Sequence, residues 1–212
     1  MNCSQCQGIE ELFSEEYVAG ELKRYHKRGP DKTTRMLIQA LKEEDVTGLT
    51  LLDIGGGLGA IQHEMLNAGA QSATDIDASS AFLNAAKAEA ERRGYAERVQ
   101  YQHGNFIDIA EDIPPADIVT LDRVICCYPD MQKLVELSVA RAGRLYGLVY
   151  PRYVWWMKLY HVFQSFFLWL SRSRFRTYLH PTQAVEEHVR SHGFKQRTYR
   201  RTFVWQVVVY AR

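Results

Sequence analysis

Between Leu51 and Ser79 the chain reads LLDIGGGLGAIQHEMLNAGAQSATDIDAS. Asp53 closes an apolar run, and Gly55, Gly56, Gly57 and Gly59 follow it within six residues. Asp75 and Asp77 end the next short apolar run. Glycines at a strand-to-helix turn let a backbone approach a ligand closely, and a carboxylate at the tip of the next strand can accept hydrogen bonds from ribose hydroxyls. This pattern implies a site for a nucleoside-containing cofactor.

Two cofactor patterns overlap here. Gly55, Gly57 and Ala60 satisfy G-x-G-x-x-[GA], with Asp77 22 residues after Gly55, which is the dinucleotide fingerprint. The same residues also read D-x-G-x-G-x-G from Asp53 to Gly59. A carboxylate two residues before the first glycine can order the turn or receive an ammonium group. It would sit poorly beside a pyrophosphate.

The elements that position these residues follow from periodicity. Residues 9–28 carry Leu12, Phe13, Tyr17, Val18, Leu22 and Tyr25 at helical spacing, and Lys32 to Glu44 forms a second amphipathic helix behind Gly29-Pro30. Ser79 caps a helix from Ser80 to Arg93 that Gly94 ends. Strands follow at Arg98 to Gln102, Ala116 to Leu121 and Arg144 to Tyr150, with a helix from Met131 to Ala142. Strands alternating with helices predict a doubly wound parallel sheet. After a helix from Thr182 to His192, Phe194–Thr202 and Phe203–Ala211 read as consecutive strands joined by a tight turn, hence antiparallel. Such a closing hairpin, and two helices ahead of the first strand, are foreign to most dinucleotide-binding sheets.

Four stretches together carry a resemblance. LLDIGGGLG, ATDIDAS, YQHGNF and ADIVTLDRVICCYPD are similar to the first four motifs of class I S-adenosylmethionine-dependent methyltransferases, over about residues 30–150 and 182–211. The resemblance implies a Rossmann-like seven-stranded sheet of order 3-2-1-4-5-7-6 with strand 7 antiparallel, in one domain over residues 1–212. The layout is similar to small bacterial enzymes that methylate porphyrins and quinones. Carried onto this chain, it implies that Gly55, Gly57 and Gly59 approach the methionine and ribose portions of S-adenosylmethionine. Asp53 orders the glycine turn, and Asp77 binds the ribose hydroxyls. Asn105, beside Phe106, binds the adenine amino group where the family more often has Asp, and Asp122 stands at the methyl-transfer mouth. Asp75 takes a position where the family often has glycine.

Methyl transfer from a sulfonium is an in-line displacement in which alignment supplies much of the acceleration, and a base is needed only for a protonated nucleophile. The candidates at the mouth are Asp122, Arg123, Tyr128 and His180, with His26 a weaker one. Residues 1–46 form N-terminal helices. Residues 151–181 interrupt the alternation of strands and helices with an aromatic helix over Tyr153 to Leu170, followed by Arg172, Arg174 and Arg176. This segment is expected to cap the carboxyl end of the sheet between strands 5 and 6, a crossover helix packed on the sheet being the alternative. A substrate under such a cap would be a small, partly apolar molecule with an anionic group, methylated on O or N.

Residues 1–150 hold 15 Lys and Arg against 23 Asp and Glu, a balance of −8, and residues 151–212 hold 11 against 2, a balance of +9. The basic third suits an anionic partner, a membrane surface through residues 153–176, or the acidic body of the same chain. Its cations are not interleaved with aromatics on a strand platform, which argues against nucleic acid. The N-terminal residues MNCSQCQGIEELF lack a basic-then-apolar leader pattern, so the chain reads as cytoplasmic with reduced cysteines. Cys3 and Cys6 with the adjacent Cys126 and Cys127 are poorly spaced for a tetrahedral metal site, and no metal is expected. Two other functions stay open on these residues: a nicotinamide-dependent reductase, and a non-catalytic cofactor-binding protein at a membrane surface.

Overall fold

The computed structural model describes residues 4–170 and 174–212; Cys3 and Arg172 lie outside the described residues. Seven strands form one sheet: β1 (Thr50–Ile54), β2 (Ser72–Asp77), β3 (Val99–His103), β4 (Ala116–Asp122), β5 (Ala142–Pro151), β6 (Lys195–Arg201) and β7 (Trp205–Ala211). Their order is β3-β2-β1-β4-β5-β7-β6. The first five pair in parallel, and β7 runs antiparallel to both β5 and β6. This is the expected Rossmann-like topology.

Strand alternation divides the core between two helical layers. On one face Leu52, Val119, Tyr146, Leu148 and Val208 pack against α7 (Met131–Ala140) and α9 (Thr182–Ser191). On the other, Leu51, Ile118, Val149, Val207 and Val209 pack against α3 (Lys32–Leu41) and α4 (Ala60–Asn67). Helix α5 (Ser80–Arg93) starts at Ser79, whose side chain accepts from the Phe82 N–H. The edge strand β6 carries Lys195, Arg197, Arg200 and Arg201 and is largely exposed. Charge of this kind protects a sheet edge from pairing with another chain.

Two details depart from the sequence reading. Residues 9–28 do not form one helix. α1 (Ser4–Leu12) stops, and α2 (Glu15–Arg28) restarts behind Ser14, whose hydroxyl accepts from the Tyr17 N–H with Glu15 and Glu16 in the first turn. A serine cap with acidic residues behind it is a helix start, and it overrides the continuous apolar spacing. The second concerns α8 (Trp155–Leu170), which lies between β5 and α9 but buries only Met157. The basic third partly meets the acidic body: Arg200 pairs with Glu43 at 2.5 Å and Arg174 with Glu11 at 3.1 Å.

Candidate cofactor and methyl-acceptor site

The carboxyl ends of β1, β2 and β4 and the first two helices enclose a cavity of about 270 Å³. Ile54, Gly55, Ile76, Asp77 and Phe106 line one side, Asp122, Arg123, Val124 and Tyr128 another. Ile9 and Phe13, with Tyr17 and Glu21 of α2, form the roof. No described residue of 153–170 reaches it. The covering role expected of the aromatic insertion thus falls to α1 and α2, because α8 turns its apolar side outward.

The glycine turn is wound left-handed at Gly55, Gly57 and Gly59, with φ of 69°, 59° and 73°. Gly55 has a second constraint: a Cβ there would lie 2.5 Å from Val124 Cγ2. Asp77 faces the cavity and holds the turn at once. Its Oδ2 accepts from the Gly57 N–H at 3.2 Å and its Oδ1 from the Ser79 N–H at 2.9 Å. Burial raises this carboxyl to about 6, against the opposing pull of the two backbone donors.

A carboxylate and a glycine turn at one mouth of a 3-2-1-4-5-7-6 sheet invite comparison with known methyltransferases. A family model described as an O-methyltransferase domain matches residues 3–144. The chain belongs to the O-methyltransferase domain family. The cofactor of that family is S-adenosylmethionine. Curated relatives include the ribosomal protein L11 methyltransferases of Histophilus somni (38% identical over 110 residues, 51% of this chain and 37% of the relative) and Yersinia pestis (28% over 120 residues, 55% and 39%). The chain thus spans about two fifths of the length of these relatives. Among solved structures, magnesium protoporphyrin IX methyltransferase of Synechocystis PCC 6803 with bound SAH superposes with TM-score 0.72 at 15% identity, covering 96% of this chain and 98% of that one. The methyltransferase complexed with the Trm112 activator of Haloferax volcanii gives 0.69 at 16%, covering 95% and 96%. At such identities the likeness is one of fold.

The remaining expected residues fall into two groups. Asp122, Arg123, Tyr128 and Phe106 line the cavity. Asp122 accepts from the Thr34 hydroxyl and from Arg123 Nε at 3.2 Å. Arg123 is the single described non-glycine residue with positive φ, 64°. A left-handed conformation at such a residue costs roughly 1–3 kcal/mol and persists where surrounding structure enforces it. Here the Arg123 N–H donates to the Val149 carbonyl at 2.8 Å, and Nη1 reaches Asp31 Oδ2 at 2.7 Å. Burial would raise Asp31, but hydrogen bonds from Arg123 and Arg24 outweigh it and hold the carboxyl low. The strained arginine therefore ties the end of β4 to the junction of α2 and α3.

The second group stands back from the cavity. Asn105 donates through Nδ2 to Asp108 Oδ2 at 3.0 Å and accepts from the Tyr128 hydroxyl at 2.8 Å. His180 Nε2 lies 2.8 Å from the Tyr128 carbonyl and supports that loop from outside. His26 pairs with Glu89 at 2.8 Å, away from the mouth. Among described residues no group of His, Cys, Asp and Glu is arranged to hold a metal ion.

Asp53 lies fully buried behind the glycine turn, accepting from Thr120 Oγ1 at 2.7 Å and Gln62 Nε2 at 3.2 Å. Asp75 is its register partner on β2. It accepts from the Gly56 N–H at 3.2 Å through Oδ1, while its Oδ2 has no partner. Burial raises Asp53 to about 7, and burial with the charge of Asp53 lifts Asp75 well above an ordinary aspartate. The folded chain therefore holds protons that the unfolded chain releases above about pH 4. The stability these two carboxyls contribute is fully present in acid and declines as pH climbs toward the folded value of Asp53, about 7. Asp75→Asn removes one of these carboxyls. Its Tm should match the parent near pH 4 and exceed it near pH 8; equal melts at the higher pH would mean that ionised Asp75 is tolerated at no cost.

Several lining residues were not anticipated. Phe13 and Tyr17 read only as apolar positions of a helix, Ile9, Glu21 and Phe82 carried no motif, and Cys127 lay within the fourth motif without a role.

Proposed function

We propose that the chain transfers a methyl group from S-adenosylmethionine to a small, partly apolar molecule, on oxygen or nitrogen. The observation that supports this best is Asp77, presented to the cavity at the tip of β2 while it fixes the Gly57 and Ser79 backbone. Such a carboxylate accepts ribose hydroxyls; the turn at Gly55, Gly57 and Gly59 leaves room for the ligand backbone, and Asp53 orders that turn from behind. Asn105 and Phe106 frame the adenine end. S-adenosylmethionine supplies a sulfonium-bound methyl, and Glu21, Asp77 and Asp122 give the cavity a negative lining suited to that cation.

The acceptor side is apolar, with Ile9, Phe13, Tyr17 and Phe82. Of the described arginines after α8, Arg174 is paired with Glu11 and neither it nor Arg176 lines the cavity, and Arg123 is already held by Asp31 and Asp122. An acceptor without negative charge suits the lining better. Asp122 is the group best situated to take a proton from an acceptor hydroxyl. Tyr128 positions Asn105, and His180 positions Tyr128.

Calorimetry tests the reading. Micromolar binding of S-adenosylhomocysteine with none of NADH is expected; the reverse would sink it in favour of a reductase. Methyl transfer is then sought with labelled cofactor and apolar hydroxyl and amine acceptors. Within this scheme Tyr128→Phe should weaken S-adenosylhomocysteine about fivefold, one hydrogen bond or ~1 kcal/mol, with kcat within about threefold. A collapse of kcat at unchanged affinity would instead make Tyr128 the base.

A further inference from the structure

Helix α8 is amphipathic with its apolar side outward. Lys158, His161, Gln164 and Ser165 share one side of the helical wheel with the buried Met157. That side meets the body, where His161 Nδ1 lies 3.4 Å from Thr177 Oγ1. On the other half, Trp155, Leu159, Phe163, Phe166, Phe167 and Leu170 are each 53–77% exposed. The patch continues at the β6–β7 turn, where Phe203, 73% exposed, stacks on Trp156 with ring centroids 4.1 Å apart. A contiguous apolar surface of this kind marks an interaction site.

Charge and aromatic type decide the occupant. No Asp or Glu occurs between Glu136 and Glu186, while seven Lys and Arg do. Lys158 sits on the Tyr153 ring at 4.2 Å, and Arg152 Nη1 donates to the Phe203 carbonyl at 3.2 Å. A second copy docked on this face would bring cations of like sign together. An anionic bilayer complements them, and Trp and Tyr favour its boundary. Sixteen residues span about 24 Å, short of the ~30 Å hydrocarbon core, and no described helix is long and apolar enough to cross a membrane.

We propose that α8 and Phe203 lie in the headgroup boundary of an anionic bilayer. Residues 174–180 follow α8, and Phe175 among them packs on Ile9 and Ala78 with Phe13 and Cys127 alongside. These four partners also line the cavity. The membrane helix is therefore joined by a short segment to the cavity wall. Resting on the methyl-transfer reading, this makes the acceptor a lipid-soluble molecule.

The test needs no turnover. The full chain is sedimented with vesicles of phosphatidylcholine, alone or with about one third phosphatidylglycerol. Pelleting with the anionic vesicles, a blue shift of tryptophan emission, and a loss above tenfold in Phe163→Glu/Phe167→Glu are expected. That variant should bind S-adenosylhomocysteine like the parent, since both positions are exposed and outside the cavity. Failure of the cofactor to bind either protein would count against the function and leave the docking result standing. No pelleting of the parent, or equal pelleting of the variant, overturns the proposal. So does a dimer in light scattering that the double substitution dissociates, which assigns the face to a second copy.

Discussion

Asp77→Ala should lower the affinity for S-adenosylhomocysteine more than a hundredfold. In the proposed function the carboxylate accepts two ribose hydroxyls, and hydrogen bonds to a charged group are worth roughly 1.5–3 kcal/mol each. Losing both removes about 3 kcal/mol, over a hundredfold in Kd. Truncation also frees the Gly57 and Ser79 N–H groups that Asp77 now fixes at 3.2 and 2.9 Å, so part of the loss comes from a looser glycine turn. Asp77→Asn separates the two effects. It keeps an acceptor oxygen for the backbone but lacks the charge, and its affinity should fall between parent and alanine. The acid form of the parent behaves like the amide. Because burial raises Asp77 to about 6, parent affinity should climb as pH passes upward through that region, and the amide variant should stay flat. Calorimetry near pH 5 and pH 8 reads both. An alanine variant within about threefold of the parent would remove Asp77 from the ribose site.

What the sequence revealed depended on whether a pattern implies one geometry or several. Most strands could be read because they are short apolar runs bounded by glycine, proline or a cap, and the hairpin Lys195–Ala211 has too short a turn for a parallel crossover; their order in the sheet followed only from the family resemblance. The glycine turn was equally legible. The roof of the cavity was not. Ile9, Phe13 and Tyr17 repeat at helical spacing, and that spacing is the same whether a face meets a core or a ligand. The signal that α1 ends and α2 begins was present in Ser14-Glu15-Glu16, masked by apolar residues on both sides. For α8 the ambiguity ran the other way. Its aromatic repeat suited a cap over the sheet, a crossover packed on it or a membrane surface alike, and Trp155 and Phe167 are 77% and 63% exposed. Periodicity identifies a face and leaves its direction open. Asp75 and Arg123 show a third limit. The unpartnered oxygen of Asp75 and the left-handed backbone of Arg123 arise from neighbours far along the chain, Asp53, Val149 and Asp31.

The glycine turn itself provides the second large effect: Gly55→Ala should cost about 3 kcal/mol of stability, and Gly57→Ala about 1. Both residues are left-handed, so each alanine bears a backbone penalty of roughly 1–2 kcal/mol. They differ in space. Nothing lies within 4 Å of a Cβ at Gly57, whereas one at Gly55 would meet Val124 Cγ2 at 2.5 Å. Overpacking of that kind adds roughly 1–3 kcal/mol. For a chain of 212 residues, 1 kcal/mol shifts Tm by about 2–4 °C, so the Gly55 variant should melt about 10 °C below the parent and the Gly57 variant about 3 °C below. Adding Val124→Ala to Gly55→Ala removes the clashing methyl but leaves the φ of 69°. The double variant should therefore recover the steric share alone and melt close to Gly57→Ala, after the cost of Val124→Ala measured by itself. Equal melts for the two single alanine variants would mean that Val124 turns aside freely. The close approach of the β4 loop to the turn would then be incidental. A large gap that Val124→Ala closes would show instead that this contact holds the glycine turn and the β4 loop in register.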